Sequence, residues 1–223
     1  FMPECDVMMQ TPQNNKHHMY SVGEHTIRTL MNVRADKVLR LTMLLHDVAK
    51  PVCITTDEEG QDHFKKHPAV GADMTKQILR RLKFDNKTID CCCRLVKEHD
   101  DRPQITPKNV RRAMSRIGAG LFPMLFEVKR ADMLGQSLYK RKEKMAYIDE
   151  FERVYNEILS DDQCVSKKDM KINGRDLIDL GMEPGQKLGE ILDKLYEMVL
   201  DDPELNDHEK LIEHANKIIS TLI

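Results

Sequence analysis

Six residues of metal-binding type run along the chain from position 25 to position 132: His25, the adjacent pair His46-Asp47, His67, His99 and Asp132. Imidazole nitrogens and carboxylate oxygens are the usual donors of catalytic divalent-metal sites, which need three or more protein ligands and keep positions open. Mixed N/O ligation suits one or two divalent ions without choosing among Fe, Mn, Ni, Co, Zn and Mg. An aspartate beside a histidine can bridge two ions while the histidine binds one of them. Such ions neutralise phosphate oxygens and make hydroxide available at neutral pH, the two requirements of phosphoester hydrolysis. The first expectation is therefore a metal-dependent phosphohydrolase with Asp47 and Lys50 as its catalytic residues. The spacing fits neither a zinc finger nor two histidines on one helix of the H-E-x-x-H type. Nine histidines in 223 residues will scatter, so the setting of each decides its meaning.

The segments around these residues read as helices. One begins near Val22 and carries His25. The next runs from Lys37 to Ala49, with Val38, Leu41, Leu45 and Val48 at helical spacing. Pro51 is expected to stop it, which puts His46 and Asp47 in its last turn. Lys50 lies three residues beyond Asp47, within reach of a phosphate as a point charge. His67-Pro68 opens a helix to about Leu82. Asp85 caps another that His99 closes. Thr106-Pro107 begins a helix that ends at Gly118. Asp132 falls in a helix over about Leu121 to Gln136, followed by a long charged helix over about Leu138 to Leu159. Residues 52–66 read as a loop, and no run shows the alternation of a half-buried strand. The polar stretch 161–170 precedes helices over about Gln186 to Leu200 and from Asp207. The fold expected is all-α: an irregular segment over 1–20, a helical metal-binding domain over 21–160, and a helical C-terminal extension over 161–223.

Composition agrees with a helix-rich chain that has enough apolar material for a core: 40 % hydrophobic and 32 % charged residues, with no tryptophan. The net charge of −2 argues against a globally basic nucleic-acid footprint. Local basic stretches remain, at Lys108, Arg111, Arg112 and Arg116 and over Lys140–Lys144, which are suited to RNA phosphates or to a solvated helix face. No apolar run approaches 18 residues and no signal-peptide pattern is visible, so a cytoplasmic chain with no membrane span is expected. None of the six cysteines forms a C-x-x-C pair, and all read as reduced thiols.

The flanking residues then add a resemblance. Val22-Gly23-Glu24-His25-Thr26, Leu45-His46-Asp47-Val48-Ala49-Lys50-Pro51, Lys66-His67-Pro68, Glu98-His99 and Arg130-Ala131-Asp132 resemble, in order, the motifs of the HD superfamily of metal-dependent phosphohydrolases. That resemblance implies an HD-domain helical bundle. It implies a first ion held by His25, His46, Asp47 and Asp132, and a second held by Asp47, His67 and His99. Lys50, Arg112 and Arg130 are then the expected substrate contacts, on nucleotides or RNA 3′ ends. Gln13-Asn14-Asn15 with His18, and Ile172-Asn173-Gly174-Arg175-Asp176-Leu177 with Gly181-Met182-Glu183-Pro184-Gly185, resemble the HD portion and tail of bacterial CCA-adding tRNA nucleotidyltransferases and their poly(A) polymerase relatives. Those enzymes carry a head with a Gly-Ser motif and a D-x-D pair, and no such head occurs in these residues. The chain as it stands is accordingly expected not to add nucleotides. The alternative reading is a tRNA-binding body that positions RNA for such a head. A regulatory module that binds nucleotides without turning them over is a third.

Overall fold

The computed structural model describes residues 1–221. Among these, β-strand is confined to one two-residue ladder and the rest of the regular structure is helical. The chain is all-α, as its composition and periodicity imply. It folds as two compact units. One comprises residues 1–102 and 120–152; the other comprises residues 103–119 and the chain from 153 onward.

The first unit contains α1 (Pro3–Gln10), α2 (Val22–Leu30), α3 (Lys37–Leu45), α4 (Lys50–Cys53), α5 (His67–Arg81), α6 (Asn86–Glu98) and α8 (Phe122–Gly135). Three of its helix starts, those of α2, α3 and α6, are fixed by side-chain caps that take up otherwise orphaned amide N–H groups. Ser21 and Glu24 form a reciprocal capping box on α2. Asp36 accepts from the Val38 and Leu39 amides at α3, and Asp85 from Thr88 at α6. One apolar cluster joins Met8, Leu45, Val48, Ile78, Leu79 and Val96. A second joins Val33, Leu39, Met43, Val128 and Ala131. Phe122, Phe126 and Phe151 stack edge-to-face with ring centroids 5.5–5.6 Å apart, a geometry favoured by the ring quadrupoles.

Three local readings change. Residues 3–10 are helical rather than irregular: Pro3 sits in the first turn with Glu4 and Asp6, and Met8 is buried. That helix packs against α2 at Gly23, where an added Cβ would lie 2.3 Å from the Met9 sulfur and 2.7 Å from its Cα. The helix carrying His46 ends at Leu45, and Pro51 opens α4 rather than ending α3, a position where a missing N–H costs nothing. The stretch 52–66 contains the end of α4 and a small antiparallel hairpin, β1 (Thr55–Thr56) with β2 (Asp62–His63), in which Thr55 pairs with His63.

The second unit contains α7 (Pro107–Ile117), α10 (Gly174–Asp179), α11 (Gln186–Asp201) and α12 (His208–Ser220). The helix α9 (Arg141–Ser160) begins in the first unit and ends in the second. The core of the second unit is built from Cys164, Ile172, Leu177, Leu195, Val199 and Leu211. The buried Arg111 donates to the Leu200 and Asp201 carbonyls and to Gln163 Oε1, tying α7 to the end of α11.

Candidate metal centre

The first unit brings His25, His46, Asp47, His67, His99 and Asp132 together, all buried. Four of them sit at helix ends or in the turn between helices: His46 and Asp47 just after α3, His67 at the first position of α5, and His99 just after α6. His25 comes from the body of α2 and Asp132 from the last turns of α8.

Each imidazole is held by the same ring nitrogen. His46 Nδ1 lies 2.7 Å from the Met43 carbonyl, His67 Nδ1 2.8 Å from that of Phe64, and His99 Nδ1 2.7 Å from that of Val96. His25 Nδ1 lies 3.2 Å from the Gly135 carbonyl. A carbonyl oxygen only accepts, so each Nδ1 carries a proton, and each neutral ring turns the lone pair of Nε2 inward. These Nε2 atoms converge: His25 and His46 are 3.3 Å apart, and so are His67 and His99. Two nitrogen lone pairs do not sit at that separation without a cation or a proton between them.

Asp47 lies between the two pairs. Its Oδ2 is 3.3 Å from His46 Nε2 and 3.6 Å from His25 Nε2, while its Oδ1 is 3.4 Å from His67 Nε2 and 3.7 Å from His99 Nε2. Asp132 Oδ1 closes the first set at 2.9 Å from His25 Nε2 and 3.7 Å from His46 Nε2. The donor atoms of His25, His46 and Asp47 lie within 4.8 Å of one another, and those of Asp47, His67 and His99 do likewise. Neither oxygen of Asp47 receives a well-aligned hydrogen bond, although both are buried. The arrangement fits two divalent ions bridged by one carboxylate.

Electrostatics point the same way. Burial opposes charge on His46, but Asp47 and Asp132 outweigh it and raise its pKa to about 10. Burial would raise the Asp47 carboxyl, yet His46 and Lys50 hold it well below the ordinary carboxylate range. Asp132 is held low by His25 and His46 against the same penalty. Positive charge is thus favoured beside Asp47 and Asp132, whereas burial disfavours it on His99.

Around the donors stands a shell that sequence reasoning missed in part. Lys50 Nζ is 2.8 Å from Asp47 Oδ2 and donates to Gln13 Oε1 at 2.7 Å, so the expected phosphate contact is engaged with the Asp47 carboxylate. Gln136 donates to Asp132 Oδ2 at 2.9 Å and accepts from Lys144 at 2.6 Å. Lys129 places its buried ammonium on the carbonyls of Glu98, His99 and Asp101, at 3.2, 2.9 and 2.6 Å, and so fixes the chain end that carries His99. No sequence signal marks Lys129, because its partners are backbone atoms about 30 residues away. The other two expected substrate contacts lie elsewhere. Arg130 pairs with Asp149 and Glu152, and Arg112, in the second unit, pairs with Glu197 and Asp201. Lys108 is likewise paired with Asp201.

No helix among the described residues is long and apolar enough to cross a membrane. Residues 69–215 match the protein family described as tRNA nucleotidyltransferase domain 2. The chain is similar to the A-adding tRNA nucleotidyltransferase of Deinococcus radiodurans, 31 % identical over 205 residues that cover 88 % of this chain and 46 % of that protein. It is 28 % identical over 203 residues to the CC-adding tRNA nucleotidyltransferase of Thermus thermophilus, covering 88 % of this chain and 45 % of that one. A shorter match, 47 % identical over 55 residues, joins it to the CCA-adding enzyme of Ligilactobacillus salivarius, over 24 % of this chain and 14 % of that enzyme. The chain spans just under half the length of the first two relatives. These proteins are named for adding nucleotides to tRNA, not for hydrolysing phosphoesters. The expectation that the chain is a metal-dependent phosphohydrolase and not a nucleotidyltransferase is overturned on that ground.

Proposed function

Because the chain belongs to the tRNA nucleotidyltransferase domain 2 family, we propose that it is the helical, tRNA-holding body of a cytoplasmic enzyme that adds nucleotides to tRNA. The observation that carries this reading is the family match, which runs through residues of both units, from α5 to α12. The similarity to the A-adding and CC-adding enzymes over 88 % of the chain supports it. On this reading the body presents tRNA to a nucleotide-adding head.

The metal centre belongs to the same proposal. The order and setting of the six donors resemble those of an HD-type site, which supports the reading. His25, His46, Asp47 and Asp132 would hold one divalent ion, and Asp47, His67 and His99 a second. When bound, such ions supply fixed positive charge to a phosphate oxygen. The protein's own part is to orient the imidazoles through their Nδ1 bonds and to keep Lys50 on the bridging carboxylate.

The test is a binding measurement. Fluorescence anisotropy with labelled tRNA, against an unstructured RNA of equal length, should show preference for tRNA and loss of affinity with rising salt. The preference should survive Asp47→Ala, because on this reading holding tRNA does not use Asp47. Equal affinity for both RNAs would refute the reading.

A further inference from the structure

A cavity of about 510 Å³ lies in the first unit, walled by the end of α2, the residues just ahead of that helix, and the chain that joins α8 to α9. None of the six clustered donors lines it. Its volume is that of a small-ligand pocket. Two arginines, Arg28 and Arg141, contribute to its walls, and no carboxylate does. In a chain whose net charge is −2, an acid-free wall with two guanidinium groups is a local positive potential.

Both arginines are positioned without being neutralised. Arg28 is exposed and lays its guanidinium over the Tyr20 ring, with Cζ 3.8 Å from the ring centroid. One side of that plane rests on the tyrosine and the other is left for a ligand. Glu24, one turn earlier on α2, turns its carboxylate to the Ser21 amide instead. Arg141 donates through Nη2 to the Leu134 and Gln136 carbonyls, at 3.2 and 2.9 Å, and its Nε is buried with no partner. Carbonyl partners aim a guanidinium but leave its charge whole.

The remaining walls suit a base and its sugar. Met19, Met31 and Leu138, exposed at 70, 81 and 75 %, form an apolar rim. A guanidinium already stacked on a ring is a flat, weakly hydrated platform, and unpaired RNA bases stack on such planes as they do on aromatic rings. Asn32 gives its amide NH₂ to the Arg28 carbonyl, which leaves its side-chain oxygen to accept from a base edge. A protein helix would cover the rim but would need a carboxylate opposite each arginine. A nucleotide brings the flat group and the negative charge together.

We infer that this cavity holds one unstacked nucleotide of the bound RNA: the base lies on Arg28, the sugar against Met31 and Leu138, and the phosphate at Arg141. The inference rests on the tRNA-holding reading for the identity of the RNA, and it adds the place where a single nucleotide is gripped.

The experiment is fluorescence anisotropy of the full chain with labelled tRNA, with an unstructured RNA and with a fully paired RNA duplex of equal length. Loss of one stacked base predicts about tenfold weaker tRNA binding in Arg28→Ala. The duplex, which offers no unstacked base, should lose far less. Arg28→Lys keeps the charge and loses the plane, so it should restore the salt dependence of the parent but recover little of the affinity. Irradiation of tRNA carrying 4-thiouridine should attach it to peptides that hold Met31 or Leu138. Parent-like tRNA affinity in Arg28→Ala, or full rescue by Arg28→Lys, overturns the site and leaves the tRNA-holding reading standing. Equal parent affinity for tRNA and the unstructured RNA, with the loss in Arg28→Ala seen on both, keeps the site and refutes the tRNA-holding reading. RNA binding unmoved in Arg28→Ala, together with self-association that Met31→Lys abolishes in sedimentation, assigns the rim to a second copy of the chain and overturns the proposal. Absence of binding to any of the three RNAs overturns both.

Discussion

Lys129 gives the most quantitative test of how the centre is supported. Its ammonium is buried among three carbonyls at the end of α6, and burial lowers its pKa from 10.5 to about 8. Below about pH 8 the residue is charged in both the folded and the unfolded chain, and the full burial penalty works against folding. Between about pH 8 and the unfolded value of 10.5 the folded chain releases its proton first. The unfolded chain then holds more protons, so stability rises with pH across that window. At about 1.36 kcal/mol per pH unit, moving from about pH 8 to about pH 9.5 should add about 2 kcal/mol. Lys129→Met lacks the titrating group and leaves three carbonyls unpaired, at about 1–3 kcal/mol for each one that water does not reach. The variant should be less stable than the parent at pH 8, and the gap should widen by about 2 kcal/mol towards pH 9.5. Urea unfolding followed by circular dichroism at a series of pH values measures both. A gap that is constant or narrows as pH rises would refute the account of Lys129 as a buried cation.

Three further outcomes are expected. Mn²⁺ at about a hundredfold over its dissociation constant should stabilise the chain by about 2.7 kcal/mol, and Asp47→Asn should remove that gain; a variant that keeps it would show that Asp47 is not the shared ligand. Gly135→Ala places a methyl group 2.5 Å from Thr29 Cγ2 and 3.2 Å from the His25 ring, so it should destabilise by about 1–3 kcal/mol and weaken the ion bound through His25 more than the other, as read by metal titration. Lys66→Gly should raise the unfolding midpoint, because Lys66 holds a left-handed backbone at φ 67° just before α5, a strain of about 1 kcal/mol for a residue with a Cβ; an unchanged or lowered midpoint would count against it.

The helix ends that carry the donors were readable because capping residues, prolines and apolar spacing mark them locally. Asp85 and Thr106 cap where the sequence places caps, and His46, His67 and His99 stand at the ends of their helices. What could not be read depends on distant backbone. Lys129 contacts carbonyls rather than side chains, Gln13 reaches Lys50 across 37 residues, and Gly135 accepts from His25 across 110. Arg112 and Arg130 looked like phosphate contacts because a pairing carboxylate such as Asp201 or Asp149 has no sequence mark. The short α1 escaped notice because its eight residues owe their helix to burial of Met8 and the close approach at Gly23 rather than to any repeat of apolar positions. The chemistry expected of the six donors was hydrolytic, and it is family membership, not geometry, that redirected it.

The Nδ1 anchors divide the four clustered histidines into two kinds. His46, His67 and His99 each lean on the carbonyl three residues earlier in their own segment, whereas His25 leans on Gly135 from another helix. Three rings are thus aimed by local chain alone, and with Asp47 they need only residues 43 to 99. On the proposed two-ion reading, the set of Asp47, His67 and His99 draws its ligands from a short stretch of chain, and α8 adds to it only the brace of Lys129 on the carbonyls around His99. The set that includes His25 and Asp132 would need α8 for a ligand and for the His25 anchor. Loading of that second set would then report that the chain has returned, about 110 residues later, to complete it.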